Sequence, residues 1–307
     1  MSKMQKPMKG DQVEIDKAAW PKMVSAKYDG YRAYNDGLYV LHTSSGAPVS
    51  NRHTQALFNL REFAGFDGEL IVGEPNLHDT YTNTSGPVRR EAGEPDVYWY
   101  VFDDRSKPDA PYAVRYLRLI ERVSELRNLG VRGADRIIVV PHTTVNDELQ
   151  YLVLRDQIIG NGYEGAMLRD PKGRYKFGRS SVKEGLLNKD KPWEDTEGIV
   201  VGFEERMHNT NTAEVDNFGN TKRSNTKDAK APTGMVGKFL VESPRWPGQT
   251  LKIATGPLKH PELKRAFEDF DSLWKGKQIV FRFLPSGGYE LPRHPQLKGL
   301  RGAEDMS

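Results

Sequence analysis

The sequence predicts an α+β protein of two domains: antiparallel sheets with flanking helices over residues 1–194, then a small β-barrel over residues 195–307. Three observations support this prediction. A chain of 307 residues is long enough for two domains. Strand-like apolar runs alternate with helical apolar spacing as far as Lys191-Pro192-Trp193. Beyond that tripeptide the apolar segments are short and strand-like, with a single helical segment among them.

Short apolar segments predict the strands of the first domain. Two of them, Val24–Tyr28 and Leu38–His42, flank the Asp29-Gly30 turn signal, and we expect them to form a hairpin. The other predicted strands are Phe66–Val72, Asp96–Asp103, Arg136–Val140 and Glu164–Arg169.

Three segments of the first domain have the spacing of helices. The first is Gln55–Ala64. The second begins near Pro111 and ends at Gly130, and its predicted apolar face comprises Val114, Leu117, Ile120, Val123 and Leu126. The third is predicted to begin with Asn146 as its cap and to bury Leu149, Leu152, Val153 and Ile159.

The second domain is predicted to be a barrel. Its predicted strands are Gly198–Phe203, Met235–Glu242, Thr250–Ala254 and Gln278–Leu284, and its helix is Pro261–Lys275. About 110 residues with this pattern fit a small Greek-key barrel such as an OB-fold. Between the first two strands, Glu204–Gly234 has almost no apolar residues, and polar segments of this length are usually functional or mobile.

Composition excludes several classes of protein. The chain has no cysteine, which excludes disulfides and thiolate metal sites. It has no apolar run of 18 residues and no apolar leader with a cleavage site, so we expect no membrane span, no signal peptide and a cytoplasmic location. The seven histidines have no metal-ligand spacing and are interpreted as surface or loop residues. A net charge of +3 does not by itself indicate a nucleic-acid partner.

The segment Lys27-Tyr28-Asp29-Gly30-Tyr31-Arg32 has the pattern of a nucleophilic lysine site. A lysine amine attacks phosphorus only when it is neutral, so burial or neighbouring cations must lower its pKa. The turn would bring Lys27 and Arg32 to the opening of one site, where the planar guanidinium of Arg32 can bind a phosphate. The alternative is an exposed, charged hairpin turn.

Two further acids precede or interrupt apolar strands. Glu69 lies in the apolar segment that ends at Val72, and Glu164 precedes Gly165 and another apolar run. Burying a carboxylate without a partner is costly. Together with Asp29, Glu69 and Glu164 could hold Mg2+ (or Mn2+) through carboxylates and phosphate oxygens, while Glu69 could instead accept a sugar hydroxyl. The alternative is that both are acids at exposed strand edges.

A basic stretch follows the second of these acids. Its basic residues are Arg169, Lys172, Arg174, Lys176, Arg179, Lys183, Lys189 and Lys191, which together form a candidate phosphate-facing surface. Lys189 and Lys191 would share one face of a strand, where a triphosphate could lie between them and where they would lower the pKa of Lys27. The alternative is a solvated loop. Phe102 ends an aromatic strand and could stack on a purine or lie in the core.

In order and spacing these motifs resemble those of the ATP-dependent DNA ligases, which are covalent nucleotidyltransferases, and in particular the minimal two-domain type. The resemblance is strongest over Glu164–Lys191. It continues through Asn209-Thr210-Asn211-Thr212, Asp216-Asn217-Phe218-Gly219 and Lys222-Arg223-Ser224, and it ends in Pro292-Arg293-His294-Pro295 and Gly299-Leu300-Arg301. The resemblance implies a nucleotidyltransferase domain over residues 1–194 and an OB-fold domain over residues 195–307. It also implies a latch-like DNA-binding insert at about 204–234.

The resemblance implies the sealing of 3′-OH/5′-phosphate nicks in duplex DNA through an AMP–lysine at Lys27 and an adenylated 5′ end, by a monomer. It implies catalytic roles for Lys27, Asp29, Arg32, Glu69, Glu164, Lys189 and Lys191. It implies that ATP is bound by Ser25, Lys27, Glu69, Phe102, Lys189, Lys191, Arg293 and Arg301. It implies Mg2+ ligands among Asp29, Glu69 and Glu164. DNA contacts are expected from Arg32, Arg52, Lys176, Arg179, Lys183, Lys222, Arg223, Lys227 and Lys230.

Two departures from the family pattern stand out. The family usually has Ser-Arg shortly after the first hairpin, but here the stretch is Thr43-Ser44-Ser45-Gly46, and Arg52 is a candidate substitute. His294 stands where the family has an aromatic residue. The alternative functions are an mRNA-capping guanylyltransferase, which shares the lysine motif but uses GTP, and a non-enzymatic OB-type nucleic-acid-binding module. An RNA ligase fits less well, because those enzymes commonly lack the arginine of the lysine motif.

Overall fold

The computed structural model describes residues 4–224, 226, 229–285 and 291–301. The described residues form two compact units. The first unit runs as far as Lys191 and includes Asp216–Asn220, and the second comprises Pro192–Val215 and the described residues from Thr221 onward. In the described part of the chain, no helix is both long and apolar enough to span a bilayer.

One sheet of the first unit carries the chain segments around the lysine motif. Within the described residues it has six strands in the order β10-β1-β11-β9-β2-β8. These strands are β1 (Lys9–Gln12), β2 (Lys22–Ala26), β8 (Thr143–Val145), β9 (Ala166–Arg169), β10 (Arg179–Ser180) and β11 (Leu187–Asp190). Strand β9 lies between β2 and β11 and is antiparallel to both. Its apolar face packs on Tyr151 and Ile158 of helix α4 (Glu148–Gly160).

The second sheet of the first unit has the order β4-β3-β5-β6-β7 among the described residues. Its strands are β3 (Tyr31–Asn35), β4 (Leu41–Thr43), β5 (Phe66–Val72), β6 (Val97–Asp104) and β7 (Ile137–Val139). Three helices flank it: α1 (Arg52–Phe58), α2 (Thr80–Arg89) and α3 (Tyr112–Asn128). The core of this half contains Phe58, Phe66, Leu70, Trp99 and Leu119, all fully buried. Short 3-10 turns lie at Ile15–Lys17, Arg61–Phe63 and Ala134–Arg136.

The predicted hairpin of Val24–Tyr28 with Leu38–His42 is wrong. Strand β2 pairs with β8 and β9, whereas β4 pairs with β3 in the other sheet. The lysine motif therefore connects two sheets. Gly30 is required at this crossing, because a Cβ atom there would lie 2.5 Å from the Leu70 carbonyl oxygen. His42 is also not a surface residue, since it is buried in β4 with its Nε2 3.1 Å from Asp36 Oδ2.

The predicted apolar faces of two helices are largely wrong. In α3, Val114, Leu117 and Ile120 are exposed. The buried residues are instead Tyr112, Arg115, Leu119 and Val123. In α4 the exposed residues are Leu149 and Val153, and the cap is Asp147 rather than Asn146, since the Asp147 side chain accepts from the Gln150 amide at 2.8 Å. Each helix has a second apolar stripe, and packing against the sheets selects it.

The second unit contains a closed barrel, with the order β12-β15-β16-β18-β17 among the described residues. Its strands are β12 (Glu194–Asn209), β15 (Lys230–Glu242), β16 (Thr250–Ala254), β17 (Gln278–Leu284) and β18 (Arg293–Leu300). The predicted helix is divided at Asp269 into α5 (His260–Glu268) and α6 (Phe270–Leu273). Leu263, Ala266 and Trp274 of this region are buried, and the last two pack on the barrel core.

The polar insert has more regular structure than its composition suggests. Strand β12 continues through it to Asn209, and β15 begins at Lys230. Between them β13 (Ala213–Val215) pairs with β14 (Thr221–Arg223). Backbone pairing needs no apolar side chains, so this hairpin forms without a core of its own. Phe218 lies in the turn and is buried.

Candidate active site

Three residues of the lysine motif, Lys27, Tyr28 and Arg32, line one cavity of the first unit. The cavity has a volume of about 270 Å³. Its lining includes Lys9, Ser25, Lys27, Arg32, Ser44, Glu69, Phe102, Arg169, Arg179 and Lys189. Seven of these, namely Ser25, Lys27, Arg32, Glu69, Phe102, Arg179 and Lys189, are among the site residues predicted from the sequence. The structure therefore brings together residues that are up to 164 positions apart in the chain, the separation of Ser25 and Lys189.

Glu164 lies between two lysines because of strand order. Strand β9 begins at Ala166 between the ends of β2 and β11, and Ala166 is in register with both Ala26 and Asp190. Glu164, two residues before β9, therefore meets the residues that follow its neighbours, and it forms ion pairs with Lys27 and Lys191. The Lys27 backbone amide also donates to the Gly165 carbonyl at 2.7 Å. Gly165 itself has a φ of 149°, a conformation that L side chains rarely adopt.

Lys27 and Glu164 shift each other's pKa. Burial lowers the pKa of Lys27, but the adjacent Glu164 carboxylate outweighs burial and raises this pKa above its ordinary value. The net direction of the Lys27 pKa shift is therefore the opposite of the one expected from neighbouring lysines. Burial likewise raises the pKa of Glu164, but the charges of Lys27 and Lys191 hold it below its ordinary value. Burial and the charge of Lys27 lower the pKa of Lys191.

Strand β11 presents Lys189 and Asp190 to opposite sides, as a two-residue period requires. Lys189 lines the cavity. Asp190 is buried, and the Tyr151 hydroxyl donates to its Oδ2 at 2.6 Å. Lys191 follows the strand and returns to the side of Glu164. The predicted common face of Lys189 and Lys191 agrees with this geometry.

Arg32 is held in a fixed orientation by an acid on the neighbouring strand. Its Nε donates to Asp67 Oδ1 at 2.7 Å and its Nη2 to Asp67 Oδ2 at 2.8 Å. Asp67 and Glu69 are two residues apart on β5 and so share one face with Arg32 on β3. Glu69 Oε1 lies 3.9 Å from Arg32 Nη1. Burial raises the pKa of Glu69 to about 7, although the charges of Arg32 and Lys27 oppose this shift.

Phe102 contacts two guanidinium groups. The Arg32 Cζ lies 4.5 Å from the centroid of its ring, and the Arg169 Cζ lies 5.2 Å from it. Arg169 is buried, and its Nη1 donates to Asp103 Oδ2 at 2.8 Å. Arg169 belongs to the basic stretch of the sequence and was not among the predicted site residues. The sequence signal that could have identified Arg169 is its position at the end of the apolar run after Glu164, because a charged residue in a buried strand is directed inward.

Two other lining residues were missed. Lys9 is on β1, in register with Arg179 of β10. Burial, followed by the charges of Arg32 and Arg179, lowers the pKa of Lys9. Ser44 lies in the turn where the family pattern has an arginine, and it lines the cavity itself. Arg52, the candidate substitute, is exposed at the start of α1 and pairs with Glu91.

The remaining predicted residues lie outside this cavity as far as the described residues define it. Lys176 pairs with Glu184 at 2.6 Å, and Lys183 is exposed. Arg179, which does line the cavity, also pairs with Asp11 at 2.7 Å. In the second unit, Lys222 and Arg223 are exposed on β14, and Lys230 begins β15. Arg293 begins β18, and Arg301 pairs with Glu197. Lys227 lies outside the described residues.

The three predicted metal ligands are Asp29, Glu69 and Glu164. Among the described residues, no three His, Asp or Glu side chains converge closely enough to hold a metal ion. Mg2+, however, commonly uses only one or two carboxylates together with substrate phosphates and water. The carboxylates of Glu69 and Glu164 are of the right chemical kind for that arrangement.

Comparisons with known proteins identify DNA ligases. A DNA ligase of African swine fever virus (isolate Pig/Kenya/KEN-50/1950) is 28% identical over 139 residues, covering 45% of this chain and 31% of the viral protein. A second isolate, Tick/Malawi/Lil 20-1/1983, gives the same identity and coverage. The match thus spans less than a third of the curated relatives' length. No family model matches the sequence.

Solved DNA ligases share the fold. A crystal structure of the Chlorella virus DNA ligase-adenylate is 22% identical, with a TM-score of 0.54, and the alignment covers 98% of this chain and 99% of that one. A Lig E DNA ligase is also 22% identical, with a TM-score of 0.66 and coverage of 97% and 100%. The predicted resemblance to DNA ligases is confirmed, and the mixed α/β architecture with several sheets matches theirs.

Proposed function

We propose that this protein is an ATP-dependent DNA ligase that seals 3′-OH/5′-phosphate nicks in duplex DNA. One observation carries the proposal. Lys27, with its side chain 20% exposed, lines a cavity together with the cations Lys9, Arg32, Arg179 and Lys189 and the acid Glu69. A buried amine among phosphate-binding groups suits covalent nucleotide transfer. The likeness to DNA ligases in sequence and fold supports the choice of DNA as the substrate.

The chemistry consists of three displacements at phosphorus. Lys27 Nζ loses its proton and attacks the α-phosphorus of ATP, so that a P–N bond forms while the P–O bond to pyrophosphate breaks. An oxygen of the nick 5′-phosphate then attacks the same phosphorus, and Lys27 departs with a proton. Finally the 3′-OH attacks the adenylated 5′-phosphate and loses its proton, and AMP leaves. Positioning and charge neutralisation supply most of the catalysis in such reactions.

The arrangement of charges around Lys27 suits the first displacement. Burial lowers the pKa of Lys27, but Glu164 raises it and so favours the protonated amine. A triphosphate beside Lys189 and Lys191 would compete with Glu164 for the ammonium groups and would bring the phosphorus to the lysine. We assign adenine stacking to Phe102 and ribose contact to Glu69, with Ser25 on the cavity wall beside Lys27.

We assign Mg2+ (or Mn2+) to Glu69 and Glu164, together with nucleotide phosphates and water, and with Asp29 nearby. When bound, the ion would neutralise charge on the phosphate oxygens. Within the chain itself, Lys189 and Lys191 would supply the same kind of neutralisation to the nucleotide, and Arg32 would hold the 5′-phosphate of the nick.

We further propose that residues 1–194 are the nucleotidyltransferase domain and that residues 195–307 are an OB-fold domain with a DNA-binding insert at about 204–234. The closed barrel and the basic hairpin strand β14 support this assignment. The candidate phosphate contacts of the insert are Lys222, Arg223, Lys227 and Lys230. Arg293 and Arg301 of the same domain would meet the pyrophosphate. We propose a monomer that acts on nicked duplex in the cytoplasm.

The test is incubation with α-labelled ATP or GTP and Mg2+, followed by a denaturing gel. We expect label from ATP on the parent protein and none on Lys27→Ala, and we expect the Lys27→Ala variant to seal a nick supplied already adenylated. Lys17→Ala is a matched control, because Lys17 is an exposed lysine paired with Glu14. Label from GTP would instead indicate a capping guanylyltransferase. Absence of label from either nucleotide would indicate a nucleic-acid-binding module.

A further inference from the structure

The guanidinium of Arg32 belongs to a closed ring of hydrogen bonds that extends beyond Asp67. The Tyr175 hydroxyl donates to Asp67 Oδ2 at 2.5 Å. The same hydroxyl accepts from the Met8 backbone amide at 2.9 Å. Arg32 Nη2 then donates to the Met8 carbonyl at 3.2 Å and to Asp67 Oδ2 at 2.8 Å. Four residues distant in the chain therefore close one ring.

The ring is buried, so its bonds are not exchanged freely with water. Asp67 and Tyr175 are almost fully buried, and Met8 packs with Tyr175 in a small apolar cluster. Burial and the negative charge of Asp67 raise the pKa of Tyr175 well above its ordinary value, so the hydroxyl stays protonated and remains a donor. A buried carboxylate is stable only when its lone pairs are satisfied, and Tyr175 supplies a bond that Arg32 alone does not.

The ring of hydrogen bonds does not include Nη1 of Arg32. Nε and Nη2 are engaged by Asp67 and Met8, while Nη1 lies 3.9 Å from Glu69 Oε1. Arg32 also lines the cavity. A guanidinium whose orientation is already fixed by a buried network loses less rotamer entropy on binding a phosphate than a guanidinium that is free to move.

We propose that the Tyr175 hydroxyl is a positioning group that acts through Asp67 to fix Arg32 for binding a phosphate monoester, namely the 5′-phosphate at a nick. The assignment of the phosphate rests on the proposed function, whereas the ring itself does not. Tyr175 touches neither substrate nor reacting atoms in this role. Arg32 could instead bind a phosphate of ATP, and the experiment distinguishes ATP from the nick 5′-phosphate.

The test compares Tyr175→Phe with the parent protein. Affinity is measured for nicked duplexes that carry either a 5′-phosphate or a 5′-hydroxyl, and self-adenylation by ATP is measured separately. We expect the preference for the 5′-phosphate to fall about fivefold, the effect typical of one lost hydrogen bond. Self-adenylation should stay within about twofold of the parent, since Lys27 and Lys189 are outside the ring. A larger loss in self-adenylation than in 5′-phosphate preference would assign the ring to ATP and overturn the proposal.

Tyr151→Phe is the matched control. Tyr151 is also a buried tyrosine of the first unit, and it donates to a buried carboxylate, Asp190, at 2.6 Å. Both variants should lose similar thermal stability, but only Tyr175→Phe should lose 5′-phosphate preference. Equal losses of preference in the two variants, or none in Tyr175→Phe, would refute a positioning role.

Three further experiments keep the result unambiguous. In an Arg32→Ala background, Tyr175→Phe should have no additional effect on 5′-phosphate preference, and full additivity would contradict action through Arg32. If Tyr175→Phe does not fold, Asp67→Asn breaks the same ring and should lower the same preference. Exchange of the Arg32 Nε proton, followed by NMR, should accelerate in Tyr175→Phe. A parent protein that is not labelled by ATP would refute the proposed function, whereas unchanged proton exchange would refute the ring.

Discussion

Replacing Glu164 by Gln removes the only negative charge that the described residues place in direct ion pairs with both Lys27 and Lys191. The Glu164 side chain is 13% exposed, and its lysine partners are 20% and 15% exposed. Removing one partner of a buried pair typically costs about 3–5 kcal/mol, because the remaining charge is left uncompensated. Since all three groups retain some contact with water, we expect the lower end, about 3 kcal/mol.

The assay is thermal unfolding at pH 7. For a domain of about 150–250 residues, 1 kcal/mol corresponds to about 2–4 °C, so Glu164→Gln should lower the Tm of the first unit by roughly 6–12 °C. Glu184→Gln is the control, because Glu184 pairs with Lys176 at the surface, with side chains 35% and 30% exposed. Pairs of this kind contribute about 0–1 kcal/mol.

The loss should depend on pH in one direction. The folded-state pKa of Glu164 is below its ordinary value of 4.5, so the folded state binds fewer protons than the unfolded state as pH falls. The stabilisation by Glu164 is therefore complete above about pH 4.5 and is lost as pH decreases through the lowered pKa. The difference in Tm between parent and Glu164→Gln should shrink from pH 7 to pH 3. Equal losses for Glu164→Gln and Glu184→Gln at pH 7, or a difference that does not change with pH, would refute the reasoning.

Two further changes test the cavity. Burial raises the pKa of Glu69 from 4.5 to about 7, so the unfolded state loses this proton at a lower pH than the folded state does. Between about pH 4.5 and pH 7 the folded state is therefore destabilised increasingly, by up to about 3 kcal/mol. In thermal unfolding, Glu69→Gln should be more stable relative to the parent at pH 8 than at pH 4, and the same difference at both pH values would contradict this. Lys9→Ala should weaken binding to a 5′-phosphorylated nick and make the slope of log affinity against log salt concentration shallower by about 0.9. Binding titrations at several salt concentrations check this, with Lys17→Ala as the control. An unchanged slope would exclude a phosphate contact by Lys9.

Local spacing was enough to predict several residues that line the cavity. The lysine motif, the acid of Phe66–Val72 and the alternation of Lys189 with Asp190 are short-range patterns, and the structure places Lys27, Glu69 and Lys189 on one cavity. Strand periodicity was similarly reliable where the strand is short and apolar, as in Thr250–Ala254 and Gln278–Leu284, whose observed bounds equal the predicted ones.

Helix faces were less predictable, because a helix can carry more than one apolar stripe. In α3, Val114 and Leu117 are exposed while the charged Arg115 is buried. Arg115 is buried because its Nε donates to Asp103 Oδ1 at 2.8 Å, and Asp103 lies on strand β6. Hydropathy along one segment contains no information about such a partner.

By itself, the sequence determined which residue types carry the chemistry and in what order they occur. Only the tertiary structure decided how they meet. Strand order places Glu164 between Lys27 and Lys191, and this reverses the expected direction of the Lys27 pKa shift. The same packing closes the ring through Met8, Tyr175 and Asp67 around Arg32. Electrostatic energies depend on separation in space and on burial, and neither quantity can be read from distance along the chain.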